Sequence, residues 1–507
     1  MGRCYSLSVI AVPSPLAVPP VQAAVSLTQI VALVLVCALL AAVAGVVVAL
    51  VTDDRDPTTV IAWLLVIALL PGLGIALYFF IGRNLRRATP ERERLRAEVR
   101  ELAVGALRSV YEEHADFAAD LEGRLAGTPA GKLLVMSRHV TGFPVLPADL
   151  LEVYERGADK FAHLLDELAG AQHFVHLMYL IWERDELTAK VTEILLDRLA
   201  NGVKVRILYD WLSSFRYRKS ELRRLAAAGA EVKPCYKRLA HLNYRNHMKI
   251  AVVDGVAAYT GGMNMGQEYI DGGPRFAAWR DTSLRLTGPV VAVFEVLFAL
   301  VWRFNGGRGD PLAARREPAR LGVAADPPVE VLYSSVATPF KSIRDAYIVV
   351  LLGARESVWI QSPYFVPDEP LITAICAAAL TGVDVRLMTA GVPDKKLPFH
   401  AAIAYYKQLL DAGVKVYPYV DGFLHAKTVT VDRRWCMIGT CNFDIRSTIL
   451  HDELSCAIFD EGVAARHAAI FEDDLAHCRE FTLDDWWALG RRTRWLNSFA
   501  RLFSRLL

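Results

Sequence analysis

The sequence predicts a duplicated α/β protein behind an amino-terminal membrane segment, and three observations carry that prediction. Residues 26 to 82 are apolar throughout, with charge only in the short stretch DDRDP. Beyond residue 140 short β-branched runs alternate with amphipathic helices, as in FVHLMYLIW and VKVRILYD, the pattern of an α/β sandwich. That order then recurs: GVKVRILYD at 202 returns as GVDVRLMTA at 382, and AAGAEVKPCY at 227 returns as LDAGVKVYPY at 410. Two copies of one unit are expected to pack about a pseudo-twofold axis with equivalent residues facing each other.

Bulk properties narrow the function. A chain of 507 residues has room for two to four domains, and its 53% hydrophobic content is high for a soluble protein. A net charge of +2 gives no polybasic signature and argues against a nucleic-acid partner. The eight cysteines form no CxxC pair, which fits reduced thiols better than a secreted disulfide scaffold or a zinc site.

Residues 1–25 form an amino-terminal tail in which Pro13, Pro15, Pro19 and Pro20 interrupt any signal-peptide core. The uncharged runs 26 to 51 and 58 to 82 are each long enough to span a bilayer, so 26–82 reads as a two-helix transmembrane hairpin. Arg83, Arg86, Arg87, Arg92, Arg94, Arg96 and Arg100 follow it, and the positive-inside rule puts the large carboxyl-terminal part in the cytoplasm. Residues 83–139, with Thr89 as cap and Pro90 in the first turn, are expected to form a solvated helical connector. The first α/β unit is then 140–304, a Gly-, Pro- and Arg-rich linker 305–328, the second unit 329–485, and a basic amphipathic helix 486–507. Trp495, Phe499, Leu502 and Leu506 share one face of that last helix, either on anionic lipid or packed on the catalytic body. The basic clusters at 215 to 224 and 233 to 245 read equally as lipid-phosphate attractors or as solvated surface.

Each unit contains His-x-Lys-x4-Asp: His247, Lys249 and Asp254, then His425, Lys427 and Asp432. Gly261 and Gly439 follow their histidines at one and the same spacing, and Asn264 and Asn442 again share a spacing. In an extended strand His and Lys two positions apart project to the same side. Paired histidines, lysines and asparagines suit an anionic phosphodiester. The lysines and amides would stabilise its oxygens, one histidine would attack phosphorus, and the other would protonate the leaving alcohol. No metal or cofactor is needed for this. A carboxylate on the following strand would fix each histidine's tautomer, giving Asp281 for the half that holds His247 and Glu453 for the half that holds His425. Asp254 and Asp432 belong to the same catalytic motif but begin turns, so they are expected to organise hydrogen bonds. His114, His139, His163, His400 and His467 fall outside the pattern and read as surface or satisfied core.

With RNHMKIAVVDG and GGMNMGQEY in one half, and LHAKTVTVD and MIGTCNFDIRS in the other, the chain resembles the phospholipase D superfamily with its duplicated HKD motif. Within it the bacterial cardiolipin synthases are most similar, through AWLLVIALLPGLGIALYFFIGR, YDWLSSF, WRDTSLRLTGP and SPYFVPD. The resemblance implies two tandem phospholipase D-like α/β sandwich units in an inner-membrane protein. It implies that two phosphatidylglycerols become cardiolipin plus glycerol through a phosphatidyl-histidine, with phosphatidylglycerol and anionic membrane lipids as partners. His247 would be the nucleophile and His425 the general acid and base. Lys249, Lys427, Asn264 and Asn442 would hold phosphate, and Asp281 and Glu453 would orient the histidines. Met248 stands where the family often has arginine, and His451-Asp452 where it often has Asn-Phe. The rivals are a hydrolytic phospholipase D, a transferase to another alcohol, a nuclease of the same superfamily, and a catalytically silent lipid-binding scaffold.

Overall fold

The computed structural model describes residues 26–52, 57–82, 90–218, 220–237, 243–314, 327–336, 338 and 340–504. The tail 1–25, the acidic loop, Thr89 with Arg83, Arg86 and Arg87, half of the linker, part of the 233 to 245 basic cluster, and Arg505 with Leu506 lie outside them. The chain forms two compact units, Met1–Gly82 and Arg83–Leu507.

In the first unit, Ser26 caps the Leu27–Val51 helix by a reciprocal pair of hydrogen bonds with Gln29. At 1.5 Å per residue this uncharged helix reaches about 37 Å, more than the roughly 30 Å hydrocarbon core of a bilayer. It is the single described helix with the length and composition to cross. The second run differs from the expected single helix. It forms Pro57–Leu69, then Pro71–Leu77, then a wider turn over Tyr78–Gly82. Proline at 71 removes a donor and forces the preceding residue out of the helical region, and Leu70 indeed has φ −135° and ψ 66°. The chain bends there until Gly74 lies against the backbone of Val66 and Ile67, an approach only a glycine permits. Val46 and Leu50 of the first helix share an apolar cluster with Ile67 and Tyr78 of the second run.

The second unit contains two mixed sheets. In chain order the first sheet has β1 (Leu150–Tyr154), β2 (Phe174–Tyr179), β3 (Lys204–Asp210), β4 (Glu231–Cys235), β5 (Ile250–Val253), β6 (Ala257–Gly261) and β7 (Ser283–Thr287). The second has β8 (Pro328–Ser334), β9 (Ser357–Gln361), β10 (Asp384–Ala390), β11 (Lys415–Tyr419), β12 (Thr428–Val431), β13 (Trp435–Gly439) and β14 (Glu453–Ile458). Their spatial orders are β1-β7-β6-β5-β2-β3-β4 and β8-β14-β13-β12-β9-β10-β11, the same order twice. The repeat seen in the sequence is therefore a repeat of topology.

Alternation along the strands divides the core. Val175, Leu177 and Tyr179 of β2 face the helices Gly157–Gly170 and Glu186–Ala200 on one side. Phe174 and Met178 face the other way, into a core shared with Val331, Ile438 and Cys456 of the second sheet and with the apolar helix Val291–Phe304. Both halves thus close one core between the sheets.

The segment after the membrane unit is not a solvated connector. In the helix Pro90–Glu113, Ala103, Leu107 and Val110 follow i, i+4, i+7 spacing, and that stripe is buried in the inter-sheet core. Leu133 and Leu134 of the helix Pro129–Val140 are buried with the second half, and Leu146–Pro147 adds an edge strand to β8. Residues that precede the first half in sequence therefore pack on the second.

Candidate active site

The strands β5 and β12 are each entered from the histidine and lysine of the repeated motif. His247 and Lys249 lead into β5, His425 and Lys427 into β12, and the period-2 alternation puts each pair on one side. All four are buried: the histidines keep 8% and 7% of their surface, and the lysines 1% and 2%, so the centre reaches solvent through the imidazoles.

Backbone pairing between the halves holds the histidines. Phe423–Leu424 runs parallel to Trp279–Arg280, and Asn246 bridges Asp452 in the symmetry-related place. The His247 N–H donates to the Asp452 carbonyl at 2.9 Å and the His425 N–H to the Arg280 carbonyl at 2.7 Å. The residue after each of those carbonyls is a carboxylate, and this sets the side-chain partners. Glu453 accepts from His247 Nδ1 at 2.9 Å, and Asp281 accepts from His425 Nδ1 at 2.7 Å. The expectation that each histidine uses the carboxylate of its own half is therefore corrected. The pairs are crossed, because the two halves exchange the strand ends that carry these groups.

The repeated glycines explain how the carboxylates arrive. A Cβ at Gly261 would stand 2.5 Å from Ser283 Cα, and one at Gly439 would stand 2.3 Å from the Leu454 carbonyl oxygen. The chain just after each carboxylate thus presses against the glycine of its own half and presents the carboxylate to the other half's histidine. Thr440, next to Gly439, donates its hydroxyl to Glu453.

Asp254 and Asp432 are not at this centre. They sit at the far ends of β5 and β12 with φ of 53° and 51°, a region that aspartate tolerates at turns. The Asp254 carboxylate accepts the N–H groups of Gln172, His173 and Phe174, and that of Asp432 accepts those of Arg355, Glu356 and Ser357. Each ties the hairpin to the start of the adjacent strand, so their place is structural, and their grouping with the catalytic set is corrected. Asn264 does lie by the centre, its amide donating to the Tyr269 hydroxyl at 2.9 Å, and Tyr269 is in ring contact with His425. Asn442 is in the equivalent place and donates to Ser447 at 3.2 Å.

Electrostatics favour an anion. Burial, together with the Lys249 and Lys427 ammonium groups, holds His247 well below its ordinary value. Burial and Lys427 lower His425 to about 4, opposed by Asp281. Both imidazoles are neutral in the free protein at neutral pH. With Nδ1–H donated to a carboxylate, Nε2 of each carries the lone pair. Burial raises Asp281, yet Lys427 and His425 outweigh it and keep that carboxylate ionised. Burial lowers Lys249 to about 7 and Lys427 to about 8, with Glu453 and Asp281 acting against it. Each ammonium donates to the carbonyl of its own histidine.

The two ends of the centre are not alike. Around His425 stand Tyr269, Trp279 and Phe423, with ring centroids 5.8 to 5.9 Å from the imidazole. Beside His247 stands His451, ring centroids 5.8 Å apart, with Arg446 Nε donating to His451 Nε2 at 3.3 Å. His247, His451 and Glu453 each bring a ligand atom within 4.8 Å of the others, a set able to hold a small divalent cation. The field of Lys249 and Lys427 opposes a cation there and suits a phosphate. His451, Tyr269 and Thr440 carry no signal in the paired spacing, since the equivalent positions in the other half hold different residues. The five histidines read as background have local partners: His114, His139, His163, His400 and His467 bond Val110, Val135, Tyr154, Asn497 and Thr430 respectively.

Residues 164–272 and 347–475 match the family described as "Cardiolipin synthase, PLD-like domain", and residues 39–83 match "Phospholipase_D-nuclease N-terminal". The chain is 33% identical over 461 residues to a cardiolipin synthase of Halalkalibacterium halodurans, covering 90% of each chain. It is 32% identical over 462 residues to the major cardiolipin synthase ClsA of Bacillus subtilis, covering 90% of this chain and 95% of that one. A phosphatidylserine synthase of Haemophilus influenzae shares the fold, with a TM-score of 0.56 at 16% identity over 74% of this chain and 98% of the other.

The lowered lysines predict an alkaline limit. Their deprotonated forms gain as pH rises through about 7 and about 8, removing the charges that hold an anion. A profile of kcat/KM in mixed micelles should therefore fall above about pH 8, by roughly tenfold per pH unit for each charge lost. The limb in kcat should lie higher, because bound phosphate stabilises the ammonium form. A flat kcat/KM from pH 7 to 9.5 would contradict the electrostatic account.

Proposed function

Because the chain belongs to the cardiolipin synthase family of phospholipase D-like proteins, we propose that it is a membrane-anchored phosphatidyl transferase that converts two phosphatidylglycerols into cardiolipin and glycerol. The observation that carries the proposal is the buried centre in which two neutral histidines, each with Nδ1 on a carboxylate, flank two ammonium groups.

The phosphodiester of the first phosphatidylglycerol binds between Lys249 and Lys427, with the amides of Asn264 and Asn442 beside it. His247 Nε2 attacks phosphorus, and the bond to the glycerol oxygen breaks. His425, in its imidazolium form, gives that oxygen a proton, and glycerol leaves. The phosphate anion supplies the negative charge that favours the imidazolium. The hydroxyl of a second phosphatidylglycerol then loses its proton to His425 and attacks phosphorus, and the P–N bond breaks. Cardiolipin forms and His247 is restored, so the protons balance over one cycle. Two features support this order of roles. His247 is pushed away from the charged form by burial first, and then by both lysines and by His425, which suits a nucleophile. Asp281 counts among the largest influences on His425 and favours its protonation, which suits a proton carrier.

Expression in cells rich in phosphatidylglycerol but lacking cardiolipin should restore cardiolipin, and His247→Ala or His425→Ala should abolish it. With labelled glycerol, ethanolamine or water supplied to purified protein, release of phosphatidic acid or transfer to ethanolamine would contradict this assignment. So would full activity in both alanine variants, the outcome for a silent scaffold.

The membrane reading extends to both apolar runs. The second, uncharged from 58 to 82, crosses if the bend at Leu70–Pro71 opens in lipid; the arginine-rich flank then keeps the catalytic part in the cytoplasm. Ser26→Cys should in that case react with an impermeant thiol reagent from the cytoplasmic face, whereas labelling from outside would mean a single crossing.

A further inference from the structure

The carboxyl-terminal helix packs the opposite way from a normal amphipathic helix. Arg491–Arg501 lies against the helix Lys396–Asp411, but its large apolar side chains are not what it buries. The contact stripe is Asn497, Ala500 and, just beyond the helix, Ser504: Asn497 bonds His400 at 2.8 Å and Ser504 bonds Tyr405 at 3.3 Å. Asn497 and Ala500 are fully buried, while Trp495, Phe499 and Leu502, at i, i+4 and i+7 on another face, are 65%, 41% and 79% exposed. Trp495 and Phe499 stack at 5.1 Å, and Trp487 from the preceding helix, itself 59% exposed, has the Arg494 guanidinium over its ring. Arg491 precedes Trp495 by one turn on the same stripe, and with Arg492, Arg494 and Arg501 it makes the described part of the helix carry four positive charges and no acid.

We propose that this face is a docking surface for an anionic lipid bilayer, seating the catalytic unit on the membrane independently of the amino-terminal anchor. Exposed tryptophan and phenylalanine ringed by arginine match the interface between acyl chains and anionic headgroups. A second copy of this chain fits poorly, since a twofold contact through this face would set arginines against arginines. The helix that this one packs on leads away from the active centre. It begins at Lys396, directly after Asp394 and Lys395, and those two act electrostatically on Lys427 and His247 respectively. The proposal rests on membrane attachment and not on the transferase chemistry.

The test uses the full chain in phosphatidylcholine vesicles with and without phosphatidylglycerol, some of the phosphatidylcholine brominated near the headgroup. The emission lost in Trp495→Phe isolates Trp495 among the ten tryptophans. Trp495 should lose at least half its emission to the brominated lipid in phosphatidylglycerol-containing vesicles and be shielded from aqueous iodide. Arg491→Glu with Arg492→Glu, both at exposed positions, should cut the lipid quenching several-fold. Three results would overturn the proposal. Trp495 could be reached by iodide and not by lipid, which means a free surface. It could be dark to both quenchers with a doubled particle mass, which means a second copy covers it. It could be quenched by lipid equally without phosphatidylglycerol and in the charge-reversed protein, which means anionic headgroups play no part. None of these readings needs turnover, so they stand apart from the product assay.

Discussion

The hydrogen bond from His247 to Glu453, with its counterpart from His425 to Asp281, is the constraint on which the site depends. Each bond joins a histidine of one half to a carboxylate of the other. A free half would carry a histidine with no partner for Nδ1 and a carboxylate without its imidazole donor, a costly state for a buried centre. The duplicated topology is the means of supplying the missing partner twice. The shared core between the sheets, the paired strand ends and the close-packed glycines keep the two exchanges in register.

From that constraint the chemistry follows. Fixing Nδ1 on a carboxylate leaves the lone pair on Nε2 of each ring, and burial favours the neutral form of both. The lysines are buried too, so they are poised between charged and neutral forms, and a phosphodiester completes them. On the proposed mechanism, the charge of a bound phosphodiester favours the imidazolium that the proton carrier needs. The asymmetry of the surroundings, aromatic rings about His425 and His451 with Arg446 beside His247, breaks the equivalence that duplication would otherwise impose.

Much of this was legible in the sequence because it depends on spacing. Gly261 and Asn264 after His247, and Gly439 and Asn442 after His425, mark a strand and its return, and both halves repeat the same intervals. The crossing was not legible. Spacing counts positions along one chain, while the partner of His247 lies 206 residues away in the other half, chosen by the packing of two sheets. The motif aspartates share the histidine's strand but stand at its other end, where they organise hydrogen bonds as residues that begin turns are expected to do, away from the centre that the motif name suggests. Composition identified the apolar second run and Pro71 marks its bend, yet the close packing of Gly74 on Val66 and Ile67 has no mark in the sequence. In the last helix the apolar stripe was visible, but its partner was not. Asn497 and Ala500, which do the packing, carry no mark in a sequence pattern.

The most direct measurement is to identify the covalent intermediate. Protein carrying His425→Asn, incubated with phosphatidylglycerol and quenched at neutral pH, should carry a phosphatidyl group on the peptide containing His247, while protein carrying His247→Asn should remain unmodified. An adduct on His425 in the second variant, with none on His247 in the first, would reverse the division of roles. Absence of adduct in both, with cardiolipin still formed, would contradict the two-histidine centre itself.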